Sequence, residues 1–339
     1  MSGHEIIVVG ASAGGVEALV RLVREFPADL AGSVFVVLHI PAQSPSLLPD
    51  ILNRAGQLKA QHPVDHQHIE GGHIYVAPPD HHLLIERGLM RIVRGPKENR
   101  HRPAVDPLFR SAAVAYGPQV VGVVLTGSLD DGTAGLLAIK QRGGIAIVQD
   151  PDDAIYPDMP RSALTHVNVD YCLPIADIGP LLVQLAREKV VQGTVQPASE
   201  DMEREVRVAE METNPLNEHE QVGAPSAYSC PECGGVLWEV HDGELSRFRC
   251  RVGHAFSSES MLSEQSERIE EALWVALKTL DENASLSRRM AKQAQQNGHA
   301  WLMERLDVRV KEAEQQAALL RRVLAGKEAS GSKDIDTIS

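Results

Sequence analysis

The sequence predicts an α/β protein with a doubly wound, mainly parallel sheet and helices on both faces, followed by a smaller module and a long helical segment. Short, apolar, β-branched runs recur at 6–9, 34–38, 120–125 and 145–148, as in strands that are buried on both faces. Stretches with helical periodicity separate these runs, and this alternation is typical of a parallel sheet. We therefore expect residues 1–189 to form one three-layer α/β/α domain.

A serine lies between glycines directly after the first strand. Gly10, Ser12 and Gly14 fit the Gly-x-Ser-x-Gly elbow, a sharp strand-to-helix turn that presents a nucleophilic hydroxyl above a sheet. Apolar residues recur at helical spacing from Val16 to Val23, so the N-terminus of this helix points at the turn, where an oxyanion would form. A phosphate-binding loop is the alternative. Ser12 replaces the middle glycine of the dinucleotide fingerprint, however, and no Gly-Lys-Ser/Thr follows.

Reactive side chains follow two further strands of the predicted sheet. His39 follows the second run, and Asp130 and Asp131 lie in the loop after the third. Because the carboxyl ends of parallel strands meet at one edge, these side chains and Ser12 form the set that a Ser-His-Asp hydrolase needs. Ser12 would attack, His39 would exchange its proton, and Asp131 would hold the imidazole. Either aspartate could instead cap the helix that begins near Thr133.

Five motifs occur along roughly residues 4–188 in an order typical of one enzyme family. They are the elbow at 10–15, His39-Ile40-Pro41, the segment at 102–109, Leu125-Thr126-Gly127 with the segment at 131–135, and the segment at 159–164. Together they resemble the catalytic domain of chemotaxis protein-glutamate methylesterases, the CheB family. The resemblance implies hydrolysis of glutamate γ-methyl esters on chemoreceptors to glutamate and methanol. It also implies deamidation of receptor glutamines, which many family members perform.

The resemblance also implies which residues form the site. By motif position Ser12 is the nucleophile, His39 is the base, and Asp131, directly before a glycine, is the aspartate, with Asp130 as the weaker alternative. No cofactor is expected for catalysis. Contacts to the oxyanion or to substrate are expected at Ala13, Gly14, Thr126 and Gly127.

Three features depart from the family's pattern. Ala13 stands where the family commonly has threonine, so backbone N–H groups must stabilise an oxyanion there. Ser128-Leu129 replaces a Met-Gly pair next to the site, which changes the contacts offered to substrate. Members that respond to a sensor kinase carry a receiver domain before the catalytic one, whereas this chain begins at the catalytic strand. We therefore expect either constitutive activity or control by a separate response regulator.

A second cluster of potential ligands lies in a compact module at 228–257. Cys230 and Cys233 form a Cys-x2-Cys pair, and Cys250 and His254 form a Cys-x3-His pair after 16 intervening residues. Two such knuckles predict a tetrahedral, structural Zn²⁺ site, because a segment of about 25 residues cannot bury enough apolar surface to fold by itself. Three free cysteines and a surface histidine are the alternative.

Acidic and helical segments flank this module. Residues 190–227 lose the strand–helix pattern and are rich in acidic side chains, which predicts a linker with a short solvated helix near Met202–Met211. Residues 258–325 carry apolar side chains at heptad-like spacing, with Asn297-Gly298 as a turn between two halves. An αα-hairpin and a dimerising coiled coil both fit this pattern. The tail at 326–339 is polar, and we expect it to be disordered.

The composition argues against several classes of partner. The chain has 339 residues and a formal net charge of −13, which is unfavourable for broad binding to nucleic acid or to anionic membranes. Arg247, Arg249 and Arg251 alternate along a strand, which predicts one solvated face rather than a nucleic-acid site. The sequence shows neither a signal peptide nor an apolar run long enough to span a bilayer, so we expect a cytoplasmic protein without membrane insertion.

Our leading hypothesis is therefore a cytoplasmic serine hydrolase acting on the cytoplasmic helices of methyl-accepting chemoreceptors. Its further partners would be a separate response regulator and, through the C-terminal helices, a second copy of the chain. A catalytically weak adaptor that binds receptors or signalling partners is one alternative. An esterase for another methylated protein is the other.

Overall fold

The computed structural model describes residues 4–190, 197–211, 223–243 and 245–331, the last five of these by their backbone alone. The chain divides into two units, Met1–Met261 and Leu262–Ser339. The predicted linker at 190–227 lies partly outside the described residues, and so does most of the predicted tail at 326–339.

In the described residues up to 209, unit 1 contains ten strands and seven α-helices. The strands are β1 (Ile6–Ala11), β2 (Ser33–Leu38), β3 (Lys59–Gln61), β4 (Gln67–His68), β5 (His73–Val76), β6 (His82–Glu86), β7 (Leu89–Val93), β8 (Val120–Val124), β9 (Ile145–Gln149) and β10 (Tyr171–Leu173). The helices are α1 (Gly15–Arg24), α2 (Leu48–Ala55), α3 (Val105–Tyr116), α4 (Thr133–Gln141), α5 (Asp158–His166), α6 (Ile175–Arg187) and α7 (Glu200–Ala209).

A sheet in the order β10-β9-β8-β1-β2-β5-β3 forms the centre of this unit, and its neighbouring strands all pair in parallel. Side chains alternate along β1, so that Ile7 and Val9 belong to one buried cluster and Ile6 and Val8 to another. The first cluster packs against α1, α2 and α6, and the second against α3, α4 and α5. The predicted doubly wound α/β class is confirmed.

One strand differs from its sequence assignment. The sequence suggests that His73–Val76 belongs to an antiparallel excursion with the two strands that follow it. Instead β5 pairs in parallel with β2 in the central sheet, because Ile74, Tyr75 and Val76 are buried and need helices or strands on both sides. The antiparallel sheet is smaller and has the order β4-β7-β6.

The acidic segment also differs from expectation, because its helix is only partly solvated. Ser199 caps α7 by accepting a hydrogen bond from the Met202 N–H. The side chains of Met202, Glu205 and Val208 are buried. One face of α7 therefore belongs to the interior of unit 1.

A four-stranded antiparallel sheet follows, which we call the ribbon (residues 224–257). Its strands are β11 (Ala224–Ser229), β12 (Val236–Asp242), β13 (Leu245–Cys250) and β14 (Ala255–Ser257). Arg247 and Arg249 on β13 were expected on a solvated face, but both are buried, and of the three arginines only Arg251 is exposed. The expectation failed because Glu98 and Glu205, which pair with these two arginines in the interior, lie more than 40 residues away in the sequence.

Those partners form a buried ion cluster with Arg110 of α3. Arg110 donates to Glu205 and to Glu98, each at 2.7 Å. Arg249 donates to Glu98 at 3.0 Å, and Arg247 donates to Glu205 at 2.9 and 3.0 Å. Burial opposes ionisation of Glu205, but the arginine charges outweigh it and lower the pKa of this carboxyl. The cluster joins α3, α7 and the ribbon.

Unit 2 is a hairpin of two long helices. Helix α8 (Ser258–Gln296) begins at the end of unit 1, and α9 (Ala300–Gly331) follows the predicted turn at Asn297-Gly298. Leu277, Ala317 and Leu324 form its buried cluster. Within the described residues no helix combines the length and the apolar character that a membrane span requires. Pairing of this hairpin with a second copy stays a prediction.

The ion cluster gives a stability prediction. Glu205→Ala leaves Arg110 and Arg247 buried without a shared partner, so we expect the free energy of unfolding to fall by roughly 3–5 kcal/mol in a urea titration. Glu203→Ala on the same helix is the control, because Glu203 is half exposed and lies 3.9 Å from Arg207. This control should stay within about 0.5 kcal/mol of wild type. Equal effects of the two substitutions would contradict a structural role for the cluster.

Candidate active site

Ser12 lies in the turn between β1 and α1, at the carboxyl edge of the central sheet. Gly14 has φ +72°, a left-handed conformation that side chains rarely adopt, and it directly precedes the first residue of α1. Gly10 is required for packing, since a Cβ there would lie 2.3 Å from a methyl group of Val105. The two glycines of the predicted elbow thus meet different physical demands, and together they allow Ser12 to leave the strand sharply.

The sequence-predicted serine, histidine and aspartate lie within hydrogen-bond distance of each other. His39 Nδ1 is 3.1 Å from Ser12 Oγ, and His39 Nε2 is 2.7 Å from Asp131 Oδ2. Asp131 accepts only, so Nε2 carries the proton and Nδ1 is left to accept the serine proton. The two ring nitrogens exchange the roles that they have in the chymotrypsin triad.

Asp131 is fully enclosed by donors. Its Oδ2 also accepts from the Val105 N–H at 2.6 Å, and its Oδ1 accepts from Asn99 Nδ2 at 2.9 Å and from the Asp106 N–H at 3.2 Å. Burial opposes ionisation, but the hydrogen bond and charge of His39 and the N–H donors outweigh it and lower the pKa of Asp131. Asp131 is therefore an ionised carboxylate that faces the imidazole.

Asp130 occupies a different environment although it is the adjacent residue. Its carboxylate points away from His39 and accepts from Ser257 Oγ at 2.7 Å, at the end of the ribbon. Burial raises the pKa of Asp130 to about 7, and the charges of Glu259 and Asp131 act in the same direction. Of the two aspartates that the sequence left open, Asp131 is the one that contacts His39.

The four residues predicted to contact an oxyanion or substrate divide into two pairs. Thr126 O accepts from the Ser12 N–H at 3.0 Å, and the Gly127 N–H donates to Tyr156 O at 2.9 Å. Thr126 and Gly127 therefore support the elbow. Within the described residues, the N–H groups of Ala13 and Gly14 donate no backbone hydrogen bond, and they lie directly before the N-terminus of α1.

A loop that the sequence analysis did not single out covers the imidazole. The ring of His101 stacks on His39 with 3.6 Å between centroids and an interplanar angle of 11°. Burial lowers the pKa of His101 to about 3, and the charge of His39 acts in the same direction, so His101 is neutral at ordinary pH. No pattern of hydrophobicity or spacing marks this contact, because it joins the site to a loop between elements.

The serine opens into a cleft of about 510 Å³. Basic side chains from the same loop region form part of its wall, and Arg102 is held by Asp80 at 2.6 Å. Besides Ser12 and His39, the lining includes Pro41, Asp80, Lys97, Arg100, His101 and Arg102. A substrate with negative charge next to its reacting group would find complementary charge here.

A second cluster of potential ligands lies in the ribbon. Cys230, Cys233, Cys250 and His254 converge, and their ligand atoms all lie within 4.8 Å of one another. The thiols of Cys233 and Cys250 are 3.7 Å apart, and His254 Nδ1 lies 3.7 Å from the Cys230 Sγ and 3.6 Å from the Cys250 Sγ. This group of three cysteines and one histidine could bind a metal ion.

Ser12, His39 and Asp131, in contact at the carboxyl edge of a parallel sheet, form the arrangement that a serine hydrolase requires. Residues 7–182 match the family model described as CheB methylesterase. The chain belongs to the CheB methylesterase family.

The match to this chain covers nearly all of some relatives and only about half of others. A putative protein-glutamate methylesterase/protein-glutamine glutaminase of Leptospira interrogans is 37% identical over 190 residues, which are 56% of this chain and 98% of the relative. A protein-glutamate methylesterase/protein-glutamine glutaminase of Ralstonia nicotianae is 37% identical over 183 residues, but only 48% of that protein is covered. The crystal structure of the Thermotoga maritima CheB methylesterase catalytic domain matches with a TM-score of 0.52 and 31% identity, and covers 55% of this chain and all of that one.

The buried Asp130 gives a pH prediction. Its pKa is about 7 in the fold, against 3.8 for an aspartate in water, so folding becomes less favourable as the pH rises from about 4 to 7. Asp130→Asn removes the penalty and keeps an acceptor for Ser257. We expect the stability gain of this variant to grow by roughly 2 kcal/mol between pH 5.5 and 8, measured by urea unfolding. Asp29→Asn, at an exposed position, should show no such growth, and a pH-independent gain at Asp130 would contradict the prediction.

Proposed function

We propose that this chain is a protein-glutamate methylesterase with Ser12 as its nucleophile, and that it also deamidates receptor glutamines. The observation that carries the proposal is the chain of contacts from Ser12 Oγ through both nitrogens of His39 to Asp131, at 3.1 and 2.7 Å. Membership in the CheB methylesterase family supports the choice of substrate. So do the names of the relatives in Leptospira interrogans and Ralstonia nicotianae.

The first half of the reaction forms an acyl-enzyme. Ser12 Oγ attacks the ester carbonyl carbon of the methylated glutamate while His39 Nδ1 takes the hydroxyl proton. The negative charge moves to the carbonyl oxygen, where the N–H groups of Ala13 and Gly14 and the N-terminus of α1 stabilise it. When the intermediate collapses, the C–O bond to the methoxy group breaks, and His39 returns the proton so that methanol leaves.

The second half repeats these steps with water. His39 Nδ1 takes a proton from water, the resulting hydroxide attacks the acyl carbon, and Ser12 leaves with the proton that His39 returns. The product is glutamate. With a glutamine side chain the same sequence releases ammonia in place of methanol.

Two neighbours stabilise the imidazolium that forms in both halves. The ionised Asp131 accepts from His39 Nε2 and offsets the positive charge. The neutral ring of His101 lies flat against one face of the imidazole and adds no positive charge of its own. Ser12, His39 and Asp131 thus act with electrostatic support from both the edge and the face of the ring.

The substrate is a glutamate on a cytoplasmic helix of a methyl-accepting chemoreceptor, which places the reaction in the cytoplasm. Lys97, Arg100 and Arg102 border the cleft and suit an acidic helix. Catalysis belongs to residues 1–189, while the hairpin at 258–325 provides a surface for a second copy or for a separate response regulator.

The proposed nucleophile is tested by release of labelled methanol from methylated receptor. Ser12→Ala and Asp131→Asn should each lower turnover by about 10⁴-fold, because one removes the nucleophile and the other removes the charge that orients His39. Asp130→Asn is the matched control and should stay within a few-fold of wild type. Unchanged release from the Ser12→Ala protein would disprove the assignment.

The ribbon cluster is proposed to hold a structural Zn²⁺. A tetrahedral ion with Zn–S bonds of about 2.3 Å requires ligand atoms about 3.8 Å apart, slightly less where one ligand is a nitrogen. The distances of 3.6 and 3.7 Å within the cluster fit this requirement. The apolar core beside it is small and contains Leu237, Phe248, Phe256 and Met261 besides two of the cysteines. Zn²⁺ would therefore contribute directly to the stability of the ribbon.

Loss of one ligand tests this proposal. Cys233→Ser should reduce the zinc content of purified protein from about one ion per chain to near zero, measured by elemental mass spectrometry. Cys172→Ser is the control, since Cys172 is exposed and lies outside the cluster, and its zinc content should equal that of wild type. Full zinc content in the Cys233→Ser protein would contradict the ligand assignment.

A further inference from the structure

We propose that Asn99 is a positioning residue for Asp131, and that the ribbon holds Asn99 in the orientation which this role requires. The inference rests on the proposed function, because Asp131 acts through His39. It assigns to the ribbon a direct part in orienting the catalytic base.

The side-chain amide of Asn99 bridges the ribbon and the site. Its Nδ2 donates to Asp131 Oδ1 at 2.9 Å and to Asp106 Oδ2 at 2.8 Å. Its Oδ1 accepts from the Ser257 N–H at 3.0 Å and from Ser260 Oγ at 3.2 Å. Asn99 is buried, so every polar atom of this amide has a protein partner.

The partners on the two sides fix which way the amide points. The backbone N–H of Ser257 can only donate, so the oxygen of Asn99 must face the ribbon. The ionised Asp131 can only accept, so the nitrogen of Asn99 must face the site. If the Ser257 contact were lost, the amide could rotate and place its oxygen against the carboxylate of Asp131, which is repulsive.

The backbone around Asn99 also depends on the ribbon. Asn99 and Arg100 have φ of 47° and 73°, in the left-handed region that non-glycine residues seldom occupy. The Asn99 N–H donates to Ala255 O at 2.8 Å, and the Ala255 N–H donates to Lys97 O at 3.2 Å. Glu98 between them is paired with Arg249 of β13. Strand β14 thus fixes the loop by backbone hydrogen bonds, and β13 does so by an ion pair.

The same loop carries His101 onto the other side of the imidazole. The backbone groups of Glu98 and His101 pair with each other at 2.9 and 3.3 Å, so the loop is closed on itself. One ribbon-bound loop therefore supplies both a donor to the carboxylate that His39 contacts and the ring that stacks on His39. Displacement of the ribbon would disturb both contacts together.

Loss of the Asn99 donor has a predictable electrostatic effect. Without it, the charge on Asp131 is less dispersed and attracts the imidazolium more strongly. Other charged or titratable groups also face this pair from the elements packed against it. They are Lys97, Arg100, His101 and Arg102 from the loop, Asp106 and Arg110 from α3, Asp130 from the loop before α4, Asp80 and His82 near β6, and Arg247 from the ribbon.

The principal test is Asn99→Ala in the full chain, measured as methanol release from methylated receptor across pH. We expect kcat to fall roughly 10- to 100-fold with KM within two-fold, because substrate contacts are untouched while the base is less well oriented. We also expect the acidic limb of kcat/KM to shift, because the Asp131 carboxylate then interacts differently with the imidazolium. A folded Asn99→Ala protein with unchanged kcat and pH profile would overturn the proposal.

A milder variant tests the ribbon side and covers the case in which Asn99→Ala does not fold. Ser260→Ala removes one of the two donors to Asn99 Oδ1, so we expect a two- to five-fold fall in kcat and a smaller shift of the acidic limb in the same direction. Ser226→Ala is the matched control. Ser226 is a ribbon serine bonded to Leu237 O at 2.9 Å, and it has no contact with Asn99. Equal profiles for Ser260→Ala and Ser226→Ala would contradict the link between ribbon and site.

A spectroscopic measurement separates this inference from the proposed function. The proton on His39 Nε2 donates to Asp131, and its downfield NMR resonance can be assigned by its loss in His39→Gln. We expect this resonance to shift or broaden in Asn99→Ala and Ser260→Ala and to remain unchanged in Ser226→Ala. If wild type releases no methanol, the proposed function fails, while this resonance still decides whether Asn99 positions Asp131. An unchanged resonance in both test variants would overturn the positioning role.

Discussion

The structure depends on satisfying one buried negative charge, the carboxylate of Asp131. Removal of such a group from water costs several kcal/mol unless hydrogen bonds and an opposite charge replace the lost hydration. Four donors from three places in the chain meet this requirement: His39, Asn99, and the N–H groups of Val105 and Asp106. His39 follows β2, Asn99 lies in the loop before α3, and Val105 and Asp106 begin α3, so the charge determines how these segments are arranged around α4.

The parallel sheet provides the frame for this arrangement. Strands β1, β2 and β8 are neighbours, and Ser12, His39 and the loop containing Asp131 follow their carboxyl ends. A strand order that places β8 and β2 on either side of β1 brings residues about 90 positions apart in the sequence into contact, as His39 and Asp131 show. Burial of these apolar strands brings the three side chains near one another. The conformation of the turn after each strand then sets the distances between them.

Sequence reasoning could find what depends on local pattern. Apolar runs and glycines in the sequence predict the strands, the elbow at Ser12, and the loops that follow two of the strands and contain His39 and Asp131. It could not find Asn99 or the pairing of Arg247 with Glu205, because these contacts join segments whose separation in the chain carries no periodic signal. The arginines of β13 illustrate the limit. Alternation correctly places Arg247 and Arg249 on one face, but only the fold shows that Glu98 and Glu205 make this face buried.

The ion cluster and the Asn99 amide place different demands on the same surface of the ribbon. The cluster supplies charge attraction, which is strong but tolerates small displacements, whereas the amide requires donor and acceptor positions fixed to a few tenths of an ångström. Glu98 and Asn99 are adjacent, so the ion pair to Arg249 anchors the very peptide that carries the amide. The ion pairs thereby hold the ribbon where the hydrogen bonds of the Asn99 amide can form. The aspartate that contacts His39 is thus positioned by a surface that lies outside the α/β sheet.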